Sequence, residues 1–99
     1  MEGMMDLVSL KKLYIEKNCI SKLDGLDNCR LLEELYIGNQ DLSPGVEFTF
    51  DEYSLAAISS TLKILDIPNS QVVSPKPLYY LEGLETLNMK ENLIEDFEN

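Results

Sequence analysis

Ninety-nine residues with 44% apolar content allow one small folded domain, or a piece of a larger one, and the composition is neither disordered nor fibrous. Eighteen acids against eight bases give a formal charge of −10, which disfavours direct binding to polyanions, whether nucleic acid or an anionic membrane surface. Histidine is absent, so every triad or metal site that needs imidazole is excluded.

The first residues, Met1-Glu2-Gly3-Met4-Met5-Asp6, are acidic and lack the basic region of a secretion signal. No apolar run approaches the roughly 18 residues of a membrane span. Cys19 and Cys29 are too few for a disulfide framework, and no Asn-x-Ser/Thr sequon is present. Both features fit a reducing cytoplasm or nucleus, with two free thiols acting as small, half-buried apolar residues.

Four segments follow the pattern Leu-x-x-Leu-x-Leu-x-x-Asn-x-Leu. They read Leu10, Leu13, Ile15, Asn18, Ile20; then Leu32, Leu35, Ile37, Gln40, Leu42; then Leu62, Leu65, Ile67, Ser70, Val72; then Leu84, Leu87, Met89, Asn92, Ile94. Their lead leucines, at 10, 32, 62 and 84, are spaced 22, 30 and 22 residues apart. Within each segment the second and third apolar residues alternate along a short strand, so both point inward while their neighbours point outward. Stacked segments predict a parallel sheet along one side of a curved coil. The amide at the turn can satisfy backbone groups as the chain leaves the strand. Gln40 and Ser70 replace Asn in this ladder, so weaker or water-mediated bonding is expected at those two turns.

The return segments carry the remaining apolar residues. Ile20, Leu23 and Leu26 cover the first repeat, Met4, Met5, Leu7 and Val8 are expected to cover its outer side, and Ile94 and Phe97 begin to cover the last. The long second repeat holds an insertion between Leu42 and Leu62. Ser43-Pro44-Gly45 is a turn signal, Val46, Phe48 and Phe50 alternate as an extended run, and Asp51 caps a predicted helix over 52–60 with Leu55, Ile58 and Leu62 on one face. Phe48 and Phe50 read as core of a thickened layer, with a partner-binding loop as the other reading. Leu78, Leu81 and Leu84 recur every three residues, which suits a 3₁₀ turn or short helix, with Pro75 and Pro77 favouring an extended or turn approach to it.

The fold class predicted is an α/β solenoid: a leucine-rich-repeat arc with short parallel concave strands and 3₁₀ or short-helix convex segments. The chain is one domain of about four repeats, 7–26, 27–56 with the insertion, 57–78 and 79–99. Neither end carries a recognisable cap, so the chain reads as a fragment or short form of a longer repeat protein, and an edge-to-edge homodimer is an expected association.

The 22-residue spacing with Asn-x-Ile and a following Leu resembles the leucine-rich repeats of type-1 protein phosphatase regulators. Leu13-Tyr14-Ile15, Asn18-Cys19-Ile20 and Leu26 are similar to a repeat in the family of protein phosphatase 1 regulatory subunit 42. Asn39-Gln40-x-Leu42, Gly45, Glu47, Phe50-Asp51, Leu55 and Ile64-Leu65-x-Ile67 resemble that family's irregular repeat, its long insertion included. The likeness covers roughly residues 10–95. Ser70, Pro68 and Ser74-Pro75-Lys76-Pro77 depart from the pattern and put the regularity of the third repeat in doubt. The resemblance implies a non-enzymatic regulator of the type-1 phosphatase catalytic subunit, associated with centrosomes or ciliary bases. The alternative is an adaptor for cytoskeletal or ciliary machinery, with tubulin or dynein as partners, or for ribonucleoprotein assembly through a protein partner.

Coiled repeat proteins present their concave strands to partners. The columns read Lys12, Glu34, Ile64, Thr86; then Tyr14, Tyr36, Asp66, Asn88; then Glu16, Gly38, Pro68, Lys90; then Lys17, Asn39, Asn69, Glu91. The candidate protein-binding residues are Tyr14, Tyr36, Lys12, Glu16, Glu34, Asp66, Asn88 and Lys90. Tyr14 and Tyr36 are expected about 5 Å apart on adjacent strands, with a notch at Gly38 beside them. They serve as a binding anchor or as a sheet-stabilising cross-strand pair, and the two roles can coexist. Six acids among the last 18 residues, Glu82, Glu85, Glu91, Glu95, Asp96 and Glu98, form a solvated face or steer a basic partner. Asp66 and Glu34 can be written as a carboxylate pair, but an open sheet face does not supply the burial that acid catalysis needs. No Gly-rich phosphate loop, activated nucleophile or metal-ligand spacing is present, so neither catalysis nor a cofactor is expected.

Overall fold

The computed structural model describes residues 8–94. Four three-residue strands, β1 (Lys12–Tyr14), β3 (Glu34–Tyr36), β5 (Ile64–Asp66) and β6 (Thr86–Asn88), form one parallel sheet in the order β1-β3-β5-β6. Two shorter strands, β2 (Lys22–Leu23) and β4 (Thr49–Phe50), pair in parallel as a second sheet. One α-helix, α1 (Glu52–Ile58), and one 3₁₀ helix (Lys76–Tyr80) complete the regular structure among the described residues. This is a small α/β architecture with parallel sheets. Met4, Met5, Leu7, Phe97, Glu95, Asp96 and Glu98 lie outside the described residues.

The register of the large sheet is the one read from the repeat. Leu13 pairs with Leu35, Leu35 with Leu65, and Leu65 with Leu87. Alternation sends these leucines to one face and their neighbours to the other. At each step one carbonyl accepts two consecutive N–H groups. Lys11 O receives those of Glu33 and Glu34, Glu33 O those of Lys63 and Ile64, and Lys63 O those of Glu85 and Thr86, all within 3.0 Å. Inside the core Leu35, Ile37, Leu65 and Ile67 are fully buried together with Leu23, Leu26, Cys29 and Leu32. The rows thin toward one end, where Leu87 is 41% exposed.

The turns after the strands carry the hydrogen bonds the repeat pattern predicts, with one reversal. The buried Gln40 carboxamide is not weakly bonded. Its Nε2 donates to Ile37 O at 2.8 Å and reaches back to Ile15 O at 3.0 Å, while its Oε1 accepts from Ile20 N–H at 2.9 Å. The extra methylene of glutamine extends that amide toward the preceding turn without loss of partners. Asn92 makes the same set, donating to Met89 O and Ile67 O and accepting from Ser70 and Val72 N–H. Ser70 is shorter: its hydroxyl donates to Pro68 O in its own turn and accepts from Gln40 N–H at 3.3 Å. The residue before each of these turn positions, Lys17, Asn39, Asn69 and Glu91, has a positive φ between 50° and 60°. That left-handed step costs a non-glycine residue roughly 1–3 kcal/mol and persists where surrounding bonds over-determine it.

Pro68 does not disturb the pairing of β5 with β3 and β6. Proline has no N–H to give to the ladder, but the Ile37 carbonyl on that side already accepts the Gln40 amide. Gly38 leaves no notch either. A Cβ there would overlap the Pro68 ring, so glycine and proline fill one site between them.

The insertion forms the opposite layer. Val46 N–H closes a turn onto Ser43 O with Gly45 at φ 88°. The Gln71 side chain holds that turn by donating to Ser43 O and Val46 O. Thr49 and Asp51 N–H then donate to Ser21 O and Leu23 O, and Phe48 bridges to Val72. Phe48 is buried, and Phe50 is half-buried against it edge-on at 5.3 Å. Asp51 caps α1 by accepting from Ser54 N–H at 3.0 Å. The helix ends at Ile58, two residues before the predicted end at 60, where the Ser59 hydroxyl and N–H both turn back to Ala56 O. Buried Ser54 accepts from Leu26 N–H and donates to Asp27, tying α1 to the first repeat. Cys29 is buried as expected of a small apolar residue, while Cys19 is exposed, because it follows the turn amide on the solvent side.

Replacing Leu35 or Leu65 by alanine is expected to cost about 2–5 kcal/mol, and Leu87→Ala less, since Leu87 has already kept part of its surface in water. Gln40→Ala is expected to cost about 1–3 kcal/mol through lost partners for buried carbonyls, and more than Asn18→Ala at an exposed turn. Urea denaturation ranks the five. A Gln40→Ala variant as stable as Asn18→Ala contradicts the amide ladder.

Candidate functional site

The face of the large sheet turned away from the core holds the candidate residues. Tyr14 and Tyr36, register partners on β1 and β3, stack with ring centroids 4.6 Å apart and planes within 3° of parallel. Tyr14 is 61% exposed and Tyr36 half-buried. The stack is held at one side. Tyr36 O–H donates to Glu34 Oε1 at 2.7 Å, and Glu34 Oε2 lies 3.7 Å from Lys12 Nζ. Such a solvent-facing ion pair contributes about 0–1 kcal/mol, so its consequence is orientation of the carboxylate.

The next column is separately bonded. Asn88 Nδ2 donates to Asp66 Oδ1 at 2.6 Å, and Asn88 Oδ1 accepts from Lys90 N–H at 3.1 Å. Asp66 and Glu34 therefore do not act on each other as a carboxylate pair. Each is committed to a different neighbour. The geometry brings Lys12, Glu34, Tyr14 and Tyr36 into one group, and Asp66, Asn88 and Lys90 into a second beside it. Glu16 is exposed past the end of β1, and no side-chain contact joins it to either group. Half-buried Ile64 lies between Glu34 and Thr86 on this face and gives it an apolar centre.

The bond to Glu34 stabilises the neutral phenol of Tyr36 and, with desolvation and the negative charge of Glu34, pushes its pKa up from 10.0 to about 12. Burial, with Asp27 adding to it, raises the Cys29 thiol, which is the direction of an inert rather than a nucleophilic cysteine. Among the described residues no group of three or more His, Cys, Asp and Glu side chains converges as a metal site, and no helix is long and apolar enough to cross a membrane.

Two features went unseen in the sequence. The bond from Tyr36 to Glu34 joins residues two apart on one strand, a spacing that signals a shared face and no particular contact. An open groove of about 1050 Å³ also lies on the opposite side of the molecule, between α1 and the 3₁₀ helix, lined by Phe50, Leu55, Pro77, Tyr79 and Tyr80 among others. The consecutive, exposed Tyr79 and Tyr80 were its only sequence signal.

No protein-family model, curated protein or solved structure matches the chain.

Because the folded pKa of Tyr36 lies above its unfolded value, this bond's stabilisation is complete below pH 10.0 and lost as pH rises toward about 12. Ultraviolet titration of the phenols is expected to show one tyrosine ionising later than the rest. Glu34→Gln moves that transition down; an unchanged profile contradicts the assigned bond.

Proposed function

We propose that the chain is a leucine-rich-repeat arc serving as a non-catalytic protein–protein interaction scaffold, with the type-1 protein phosphatase catalytic subunit as its partner. In-register parallel strands, turn amides that bond across repeats, and a 3₁₀ segment on the far side support the repeat class. The preceding resemblance to phosphatase regulators supports the partner. On this reading the large sheet is the concave face, and the station is cytoplasmic, at the centrosome or ciliary base.

The observation that carries the reading is the Tyr14–Tyr36 stack. Tyrosine supplies large contact area at little rotational cost, with one polar end for recognition. Here both rings are already ordered by each other and by Glu34, so little is left to immobilise on binding.

Biolayer interferometry of the chain against the purified type-1 phosphatase catalytic subunit tests this. Saturable binding is expected, and Tyr36→Ala is expected to weaken it about tenfold or more, a hot-spot loss of over 1.4 kcal/mol, while leaving the circular dichroism spectrum nearly unchanged. Saturable binding to tubulin instead replaces the partner. Binding unaffected by Tyr36→Ala moves the site off this face.

A further inference from the structure

The large sheet ends in β1 on one side and β6 on the other, and among the described residues neither pairs with a further strand. We propose that two copies of this chain dock head to tail, β6 of one receiving β1 of the next as another parallel strand. The inference rests on the sheet's register and is independent of the phosphatase reading.

The molecule states its own docking rule. In each internal step one carbonyl accepts two consecutive N–H groups from the following repeat: Lys11 O, Glu33 O, then Lys63 O. The next acceptor in that series is Glu85 O, at the open side of β6. The donors that match it are the N–H groups of Lys11 and Lys12, at the open side of β1. The same superposition sets Leu13 against Leu87, whose side chain is 41% exposed, and Asn18 against Asn92 as one more turn amide.

Charge chooses a second copy as the occupant. Superposing the first repeat on a position after the fourth brings Lys11 beside Glu85, Glu16 beside Lys90 and Lys17 beside Glu91. All six are exposed, and all three pairs are opposite in sign. The exposed charges of segment 8–23, which contains β1, are Lys11, Lys12, Lys17 and Lys22 against Glu16, with Lys12 turned to Glu34, and those of segment 82–94, which contains β6, are Glu82, Glu85 and Glu91 against Lys90. A chain of net charge −10 is thus polar along the stacking direction. Head-to-tail contacts do not close on themselves in pairs, so association continues past the dimer as concentration rises.

Sedimentation equilibrium of the full chain up to millimolar concentration tests the proposal. The wild-type chain is expected to exceed its monomer mass of 11.3 kDa as concentration increases. Two charge-reversal variants, Lys11→Glu with Lys17→Glu and Glu85→Lys with Glu91→Lys, are each expected to self-associate at least tenfold more weakly. Their mixture restores association, because every contact between unlike variants again joins opposite charges. All four positions are exposed, and circular dichroism verifies that the variants fold. A monomeric wild type, variants that associate like wild type, or a mixture that stays monomeric overturns the proposal.

Discussion

The structure depends on the polar side chain placed where each strand of the large sheet ends, an amide at three of the four turns and the Ser70 hydroxyl at the other. A three-residue strand makes few ladder bonds, and the chain then turns sharply, stranding carbonyls in an apolar interior. An unmet buried carbonyl costs about 1–3 kcal/mol, so a stack of such turns is costly unless something bonds them. Gln40 and Asn92 do so in two directions, to their own turn and to the one before. Each amide therefore stabilises the contact between successive turns as well as the turn itself. With that bond in place, the left-handed φ at Asn39 and Glu91 is held, and the strand pairs fall into register.

Much of this was legible because it is local and periodic. Period-two alternation within strands and the recurring leucines give the register residue by residue, and Asp51 announces α1 by its chemistry alone. What was not legible depends on two segments meeting. Gln40 reads as an imperfect asparagine until its reach to Ile15 is seen. Gly38 reads as a notch, and Pro68 as a defect, until they are found filling one space. The pairing of β2 with β4 required knowing that the insertion lies back against the first repeat's return segment, which Val46, Phe48 and Phe50 do not reveal. For the outer face, the column of Tyr14 and Tyr36 was readable from spacing. The commitment of Glu34 to Tyr36 and of Asp66 to Asn88 was not, because exposed polar side chains choose partners by rotamer and not by sequence separation.

Core and surface obey different constraints here, and that division accounts for where specificity can reside. The inner rows admit only leucine, isoleucine or a close equivalent, because Leu35, Leu65, Ile37 and Ile67 have no solvent to retreat into. The outer columns carry no such demand, yet they hold two stacked rings, an apolar Ile64 and bonded pairs of polar residues. The edges are different again. There, among the described residues, the backbone repeats the internal hydrogen-bonding pattern with no partner strand, so side-chain charge is what distinguishes one neighbour from another. With exposed lysines gathered in the segment that contains β1 and exposed glutamates in the one that contains β6, the net charge of −10 conceals an uneven distribution. Screening over about 8–10 Å at physiological salt leaves the edge, and not the whole molecule, as the scale on which an approaching strand is read.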